Sequence, residues 1–151
     1  MKKIFFPILI LVAAMACDDD NDDRNNSAQK IQKIKDNVME GAWRVSYFYD
    51  TDHDETSVFN GYTFQFTETG TLTANNGMSS HTGSWSVTDS NTSDNDDSLN
   101  DLDFNIVFAS PAEFEEISDD WSIISQSGTK IELRDVSGGS GGTDYLTFEK
   151  L

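Results

Sequence analysis

The chain has 151 residues, a formal net charge of -17 from 27 Asp and Glu against 10 Lys and Arg, and one cysteine. That length holds one domain with a single core and not comfortably two. The acidity excludes nucleic acid as a partner, since phosphates recruit Lys and Arg through counterion release, and it sets the body of the protein off from anionic lipid headgroups. A lone cysteine excludes an intramolecular disulfide.

The N-terminus gives that cysteine a reason. Met1-Lys2-Lys3 is a basic start, Ile4 to Val12 is apolar apart from Pro7, and Ala13-Ala14-Met15-Ala16 is a run of small residues with one Met. This is the layout of a secretory signal peptide over residues 1–16, too short to span a bilayer stably. Cys17 comes next, and the segment resembles a lipobox, with Ala14 where leucine is usual. The resemblance implies that Cys17 carries a diacylglyceryl thioether and an acylated α-amine (palmitate-class chains), which together anchor the chain to the outer membrane; one chain alone would bind only marginally. The alternative is an ordinary signal peptide and a free thiol. Residues 17–27 then read as an acidic tether. Asp18-Asp19-Asp20-Asn21-Asp22-Asp23 repels itself and is expected to be extended, reaching at most about 33–36 Å over ten residues. The run resembles the surface-export signal of Bacteroidota lipoproteins; otherwise it is a solvated spacer.

The folded domain is expected over residues 28–151. Ile31, Ile34 and Val38 lie at helical spacing between Ser27, a capping residue, and Gly41, so a short helix covers Ser27 to Glu40 and closes one end of the adjoining strand region. From Ala42 the period becomes two. Trp43, Val45, Tyr47 and Tyr49 alternate with Arg44, Ser46 and Phe48; Tyr62, Phe64 and Phe66 alternate with Thr63 and Gln65. Glu68-Thr69-Gly70 turns into Thr71 to Ala74, and Asn75-Asn76-Gly77 into Thr82 to Thr88. Leu102, Phe104, Ile106 and Phe108 alternate with Asp103, Asn105 and Val107. Trp121 to Ser125 and Lys130 to Arg134 flank a turn at 126–129, and Asp144 to Lys150 closes the chain. About eight short sequential strands after one helix predict an all-β, antiparallel up-and-down barrel. A sandwich is the alternative, with Asp89 to Asp101 as its crossover.

Gly41-Ala42-Trp43-Arg44-Val45, Tyr62-Thr63-Phe64-Gln65-Phe66, Gly70-Thr71-Leu72, Gly83-Ser84-Trp85 and Trp121-Ser122-Ile123 carry a resemblance in their order and spacing. Together they look like the lipocalin-like domain of Bacteroidota lipoproteins, over roughly Gly41 to Leu151. In that family's Gly-x-Trp, glycine lets the chain turn into the barrel and the indole plugs its narrow end; Trp43 is placed for this. The chain departs from the family elsewhere. No arginine follows the last strand to stack on Trp43, and Thr143-Asp144-Tyr145 precedes that strand, out of place for the lipocalin tripeptide.

The resemblance implies a small hydrophobic or amphipathic ligand, with Trp43, Phe64, Phe66, Trp85, Phe104 and Trp121 as candidate walls of the interior, joined by Phe108 and Phe148. The same aromatics could instead fill the barrel completely, leaving an accessory protein that acts through its loops. Asp50-Thr51-Asp52-His53-Asp54 carries carboxylates at EF-hand positions 1, 3 and 5, but Glu55 stands where the loop needs glycine and Gly61 where it needs glutamate, so it is a polar loop or a weak calcium site. Asp89 to Asp103 reads as a mobile loop, and Asp97-Ser98-Leu99 matches a short Bacteroidota O-glycosylation pattern at Ser98. Ser137 to Gly142 is a glycine-rich loop without the lysine of a phosphate loop. His53 and His81 stand apart from metal-ligand spacing, and no Gly-x-Ser-x-Gly elbow occurs. The expectation is a non-enzymatic protein with no cofactor and no metal, on the outer membrane or displayed at the cell surface.

Overall fold

The computed structural model describes residues 20–90, 99–136 and 142–151. The signal segment, Cys17, Ser98 and most of the glycine-rich loop lie outside the described residues. Helix α1 spans Asp20–Met39, and strands follow at β1 Trp43–Asp50, β2 His53–Asp54, β3 Thr63–Phe66, β4 Thr71–Asn75, β5 Ser80–Asp89, β6 Leu102–Val107, β7 Asp120–Gln126, β8 Lys130–Val136 and β9 Thr143–Lys150. A four-residue helix, α2, spans Ala112–Glu115, and 3-10 turns cover Thr56–Phe59 and Leu99–Asp101.

Every neighbouring pair is antiparallel, in the order β2-β1-β3-β4-β5-β6-β7-β8-β9, and β9 pairs back onto β1. Eight strands therefore close into a barrel, with β2 a two-residue ladder against the end of β1. Closure removes the two free edges that a sheet of this size would otherwise expose. The barrel expectation holds and the sandwich does not.

Two expectations change. Residues 20–27 are not an extended tether: they are helical, part of α1 Asp20–Met39, so the helix is already formed before Ser27. The second change is in β1. Trp43 and Val45 are buried, but so is Phe48, while Tyr47 is 40% exposed. The pairing of β1 with β9 shifts register between Val45 and Tyr47. A bulge inserts one residue and reverses which side chains face inward, so Tyr47 and Tyr49 leave the core and Phe48 enters it. The two tyrosine rings lie near-parallel on the outside, with centroids 6.3 Å apart.

Two glycines of the Gly-x-Trp triplets serve different ends. Gly41 has φ +81° at the turn from α1 into β1, in the left-handed region that favours glycine. Gly83 needs space instead: a Cβ there would lie 2.3 Å from the Val107 carbonyl oxygen and 2.8 Å from the Phe108 ring.

All three tryptophans are inward and each indole N–H has a carbonyl partner. Trp43 donates to Val38 at 2.8 Å, Trp85 to Thr67 at 3.0 Å and Trp121 to Ile117 at 3.0 Å. Each partner lies outside the strands, at the end of α1, in the β3–β4 turn, or just beyond α2. Lys150, opposite Trp43 in the ladder, places its ammonium 5.2 Å from the Trp43 ring centroid. The cation over the barrel's end tryptophan therefore comes from the last strand itself and is a lysine.

Gly83→Ala is expected to destabilise by about 1–3 kcal/mol through overpacking, whereas Gly128→Ala, with nothing within 4 Å of its added carbon, stays within about 0.5 kcal/mol. Urea titrations of the two variants check the contrast. Trp43→Phe strands the buried Val38 carbonyl and is expected to cost about 1–3 kcal/mol by the same titration.

Candidate functional site

The six candidate wall residues are all in the barrel interior. Trp43, Phe64 and Phe104 have no accessible surface, Trp121 has 1%, and Phe66 and Trp85 have 4%. A side chain with no accessible surface fronts no void that could hold even a water, so Trp43, Phe64 and Phe104 are core; Trp85 keeps a small accessible edge, which borders a groove on the outside. Their contacts explain why. Phe64 meets Phe148 edge-on at 5.3 Å, Phe148 meets Phe66 at 5.7 Å, and Phe66 meets Trp85 at 5.3 Å and Phe104 at 5.8 Å. These are the edge-to-face spacings that aromatic pairs prefer. The rings form one column along the barrel.

Both ends of the column are stopped. At the end where β1 starts, α1 contributes Ile34 and Val38, both buried against the core. At the opposite end two connections turn inward. The 3-10 turn between β2 and β3 delivers Phe59, and α2, between β6 and β7, delivers Phe114; each is 2% exposed. The two rings meet edge-on at 5.4 Å. Phe114 also lies 6.1 Å from Phe64, 5.0 Å from Phe108 and 4.7 Å from His81. In an open lipocalin-like barrel this end is the mouth. Here a phenylalanine from each flanking connection occupies it. Ser118 fastens the plug: its hydroxyl donates to the Phe114 carbonyl at 2.8 Å and accepts from the Phe108 N–H at 2.8 Å.

Sequence reasoning missed both plugs. Phe59 lies in a stretch that reads as polar loop. Phe114 and Ile117 stand three apart, a helical signal, but α2 is four residues long and too short for periodicity to register.

The rim of the stopped mouth is acidic. Asp50-Thr51-Asp52-His53-Asp54 forms a tight reversal there: Asp50 pairs with His53 across the ladder, and Asp52 contacts the His53 imidazole. Thr51 has φ +51° and its N–H is held by the Asp144 carboxylate at 2.6 Å. The Asp54 carboxylate accepts from the Thr56 N–H at 3.0 Å, and its bonds with Thr56 hold it below the usual carboxylate range. Of the EF-like carboxylates, Asp52 and Asp54 are thus engaged within the turn. Glu116, next to α2, is raised by burial, by contact with Glu55 and by the charges of Asp50 and Glu113. At the start of β7, partial burial, the hydrogen-bonded carboxyl of Asp120 and the charge of Asp135 push Asp119 up to about 6. Among the described residues no group of three or more His, Cys, Asp or Glu is placed to hold a metal ion. His81 bonds the Tyr62 hydroxyl at 3.3 Å beneath the Phe114 ring, which makes it part of the plug.

Among the described residues an open groove lies on the outside. It encloses about 320 Å³ between the β3–β4 turn and β5 and β6, and is lined by Thr69, Ser84, Trp85, Ser86, Asn105 and Val107. On the far side of the barrel, β8, β9 and β1 present the three tyrosines Tyr47, Tyr49 and Tyr145 with Arg134.

No protein-family model and no curated protein matches the chain. Among solved structures the chain is similar to a DUF4847 family protein from Bacteroides vulgatus, at 13% identity and a TM-score of 0.48, over 78% of this chain and 97% of that one.

Phe114→Ala is expected to cost about 3–5 kcal/mol, the range for removing a buried aromatic side chain; differential scanning calorimetry reads it. Asp119 supplies a pH test. Its folded pKa is raised, to about 6, so the folded state binds this proton more tightly than the unfolded chain does. That stabilisation is fully present below the unfolded value of about 3.9 and is lost as pH rises through about 6. Asp119→Asn is therefore expected to raise the melting temperature relative to wild type more at pH 7 than at pH 4. An equal shift at both values contradicts the assignment.

Proposed function

We propose that the protein is an exported lipoprotein, held to the outer membrane by acyl chains on Cys17, whose filled barrel is a rigid, non-enzymatic scaffold acting through its outer surface. The observation that carries the scaffold reading is the stopped aromatic column: Phe59 and Phe114 occupy the mouth, and Trp43, Phe64 and Phe104 have no accessible surface. A small apolar ligand, as the lipocalin resemblance implies, requires both phenylalanines to withdraw from a close-packed interior, and interiors of this density open only at the expense of those contacts. The anchor reading is supported by the sequence alone: a basic start, an apolar run, small residues and then the chain's only cysteine. The acidic run behind Cys17 favours display on the cell surface, as in the export signal it resembles.

This reading suits a net charge of -17. Acidity keeps a densely displayed surface protein from self-association and from lying down on an anionic bilayer.

Growth of a producing strain with an alkyne analogue of palmitate is expected to label the wild-type protein and not Cys17→Ser, which moves to the soluble fraction. Labelling that survives the substitution rules out this anchor. Native mass spectrometry of the membrane-extracted protein is expected to show the acylated chain with no further apolar ligand; a stoichiometric bound lipid or apolar molecule returns the ligand-carrier reading.

A further inference from the structure

The outer face of β8, β9 and β1 differs from the rest of the wall. From residue 43 onward the chain has four cations, Arg44, Lys130, Arg134 and Lys150, against twenty carboxylates. All four cations lie on these three adjacent strands. The registers put outward side chains into rows. Arg134 is opposite Tyr145 and Tyr145 opposite Tyr49; Glu132 is opposite Thr147 and Thr147 opposite Tyr47; Lys130 is opposite Glu149 and Glu149 opposite Arg44. The intervening residues Ile131, Leu133, Leu146, Phe148 and Phe48 are buried in the core, which fixes these nine side chains on the outside.

Within the rows most charge is already matched. Arg44 meets Glu149 at 2.6 Å and Lys130 meets Glu132 at 2.5 Å. Arg134 is the exception: among the described residues its guanidinium has no ion pair, and its Nε is buried without an acceptor. Beside it, Thr147 is only 8% exposed although it belongs to the outer rows. Its ladder partners are Glu132 and Tyr47. Tyr47 and Tyr145 are 40% and 37% exposed.

The geometry points to a binding site for a uronic acid, a carboxylated sugar ring stacked on Tyr49 and Tyr145 with its carboxylate on Arg134. With Nε buried, the two outer guanidinium nitrogens are the ones that can meet a carboxylate end-on in two parallel hydrogen bonds. A sugar ring has C–H faces that pack on aromatic rings and a rim of hydroxyls, for which Ser122, opposite Arg134 in the ladder, is a hydrogen-bonding neighbour. An acidic peptide can use the same Tyr and Arg side chains, which are common anchors of protein interfaces, and the triglutamate titration separates it from the sugar. A wholly anionic surface fits less well, since carboxylates dominate the wall on either side of this face. The site deepens the surface-acting reading of the protein and needs a barrel that works from outside, but it does not depend on acylation. Failure of palmitate labelling leaves it standing, and its own failure leaves the anchor standing.

The test is a titration of the full-length protein in detergent micelles with trigalacturonic acid, read by calorimetry and by the tyrosine ring resonances. Saturable binding is expected, with shifts at Tyr49 and Tyr145. Arg134→Gln is expected to weaken it at least about tenfold, and Arg134→Lys, which keeps the charge but not the fork, by less. Tyr145→Ala is expected to weaken it comparably to Arg134→Gln. The neutral trisaccharide maltotriose is expected to bind at least about tenfold more weakly than trigalacturonic acid. Absence of saturable binding overturns the proposal, as does binding that Arg134→Gln leaves unchanged. Equal affinity for triglutamate overturns the sugar and favours an acidic peptide on the same residues.

Discussion

Three indole N–H bonds hold the connections of this barrel to its wall. Eight short strands closed on themselves leave two open ends, and nothing in the ladders covers them. Trp43, Trp85 and Trp121 are each anchored inside by packing, and each donates to a carbonyl on a segment that is not a strand: Val38, Thr67 and Ile117. A buried indole N–H without a partner is costly, so each bond fixes where its connection sits. Val38 is the clearest case. Its carbonyl is among the last of α1, where helix carbonyls lack partners of their own, and the Trp43 indole supplies one. Ile117 follows α2, so the Trp121 bond sits beside the segment that delivers Phe114.

That constraint links packing to function. Once α2 is held at the mouth, Phe114 meets Phe59, Phe64, Phe108 and His81 within 6.1 Å, and the aromatic column is continuous with its stopper. A barrel of this size holds either side chains or one small ligand. The choice is made by two phenylalanines outside the strands, and the inward strand residues look the same in either case.

This is why the sequence was legible in one part and silent in another. Strand positions could be read because period two survives wherever one face is buried, as at Leu102 to Phe108. It misled in β1, where the bulge past Val45 reverses the alternation; from spacing alone Tyr47 and Tyr49 belong with Trp43, and only the cross-strand partners of β9 show otherwise. The plugs were hidden for another reason. A single apolar residue in a polar loop has no periodicity, and Phe59 and Phe114 gain their meaning from meeting each other across connections far apart in the chain. The extended tether failed over residues 20–27, which are helical; repulsion along the run is visible in the sequence but does not by itself exclude a helix.

The outer face follows from the same bulge. Had β1 kept strict alternation, Tyr47 and Tyr49 would point into a core already full and Phe48 would face water. The extra residue places two tyrosines outside, in register with Thr147 and Tyr145 of β9, and so beside Arg134 of β8. The charge distribution then becomes physically coherent. Arg44 and Lys130 are neutralised in place by Glu149 and Glu132, and Lys150 sits over Trp43 at the closed end. Of these four cations Arg134 is the one without an ion pair among the described residues, on the wall where tyrosine replaces carboxylate. An acidic protein repels anions over most of its surface, so a lone guanidinium among aromatic rings marks where that repulsion is weakest and where an anionic group gains most by arriving.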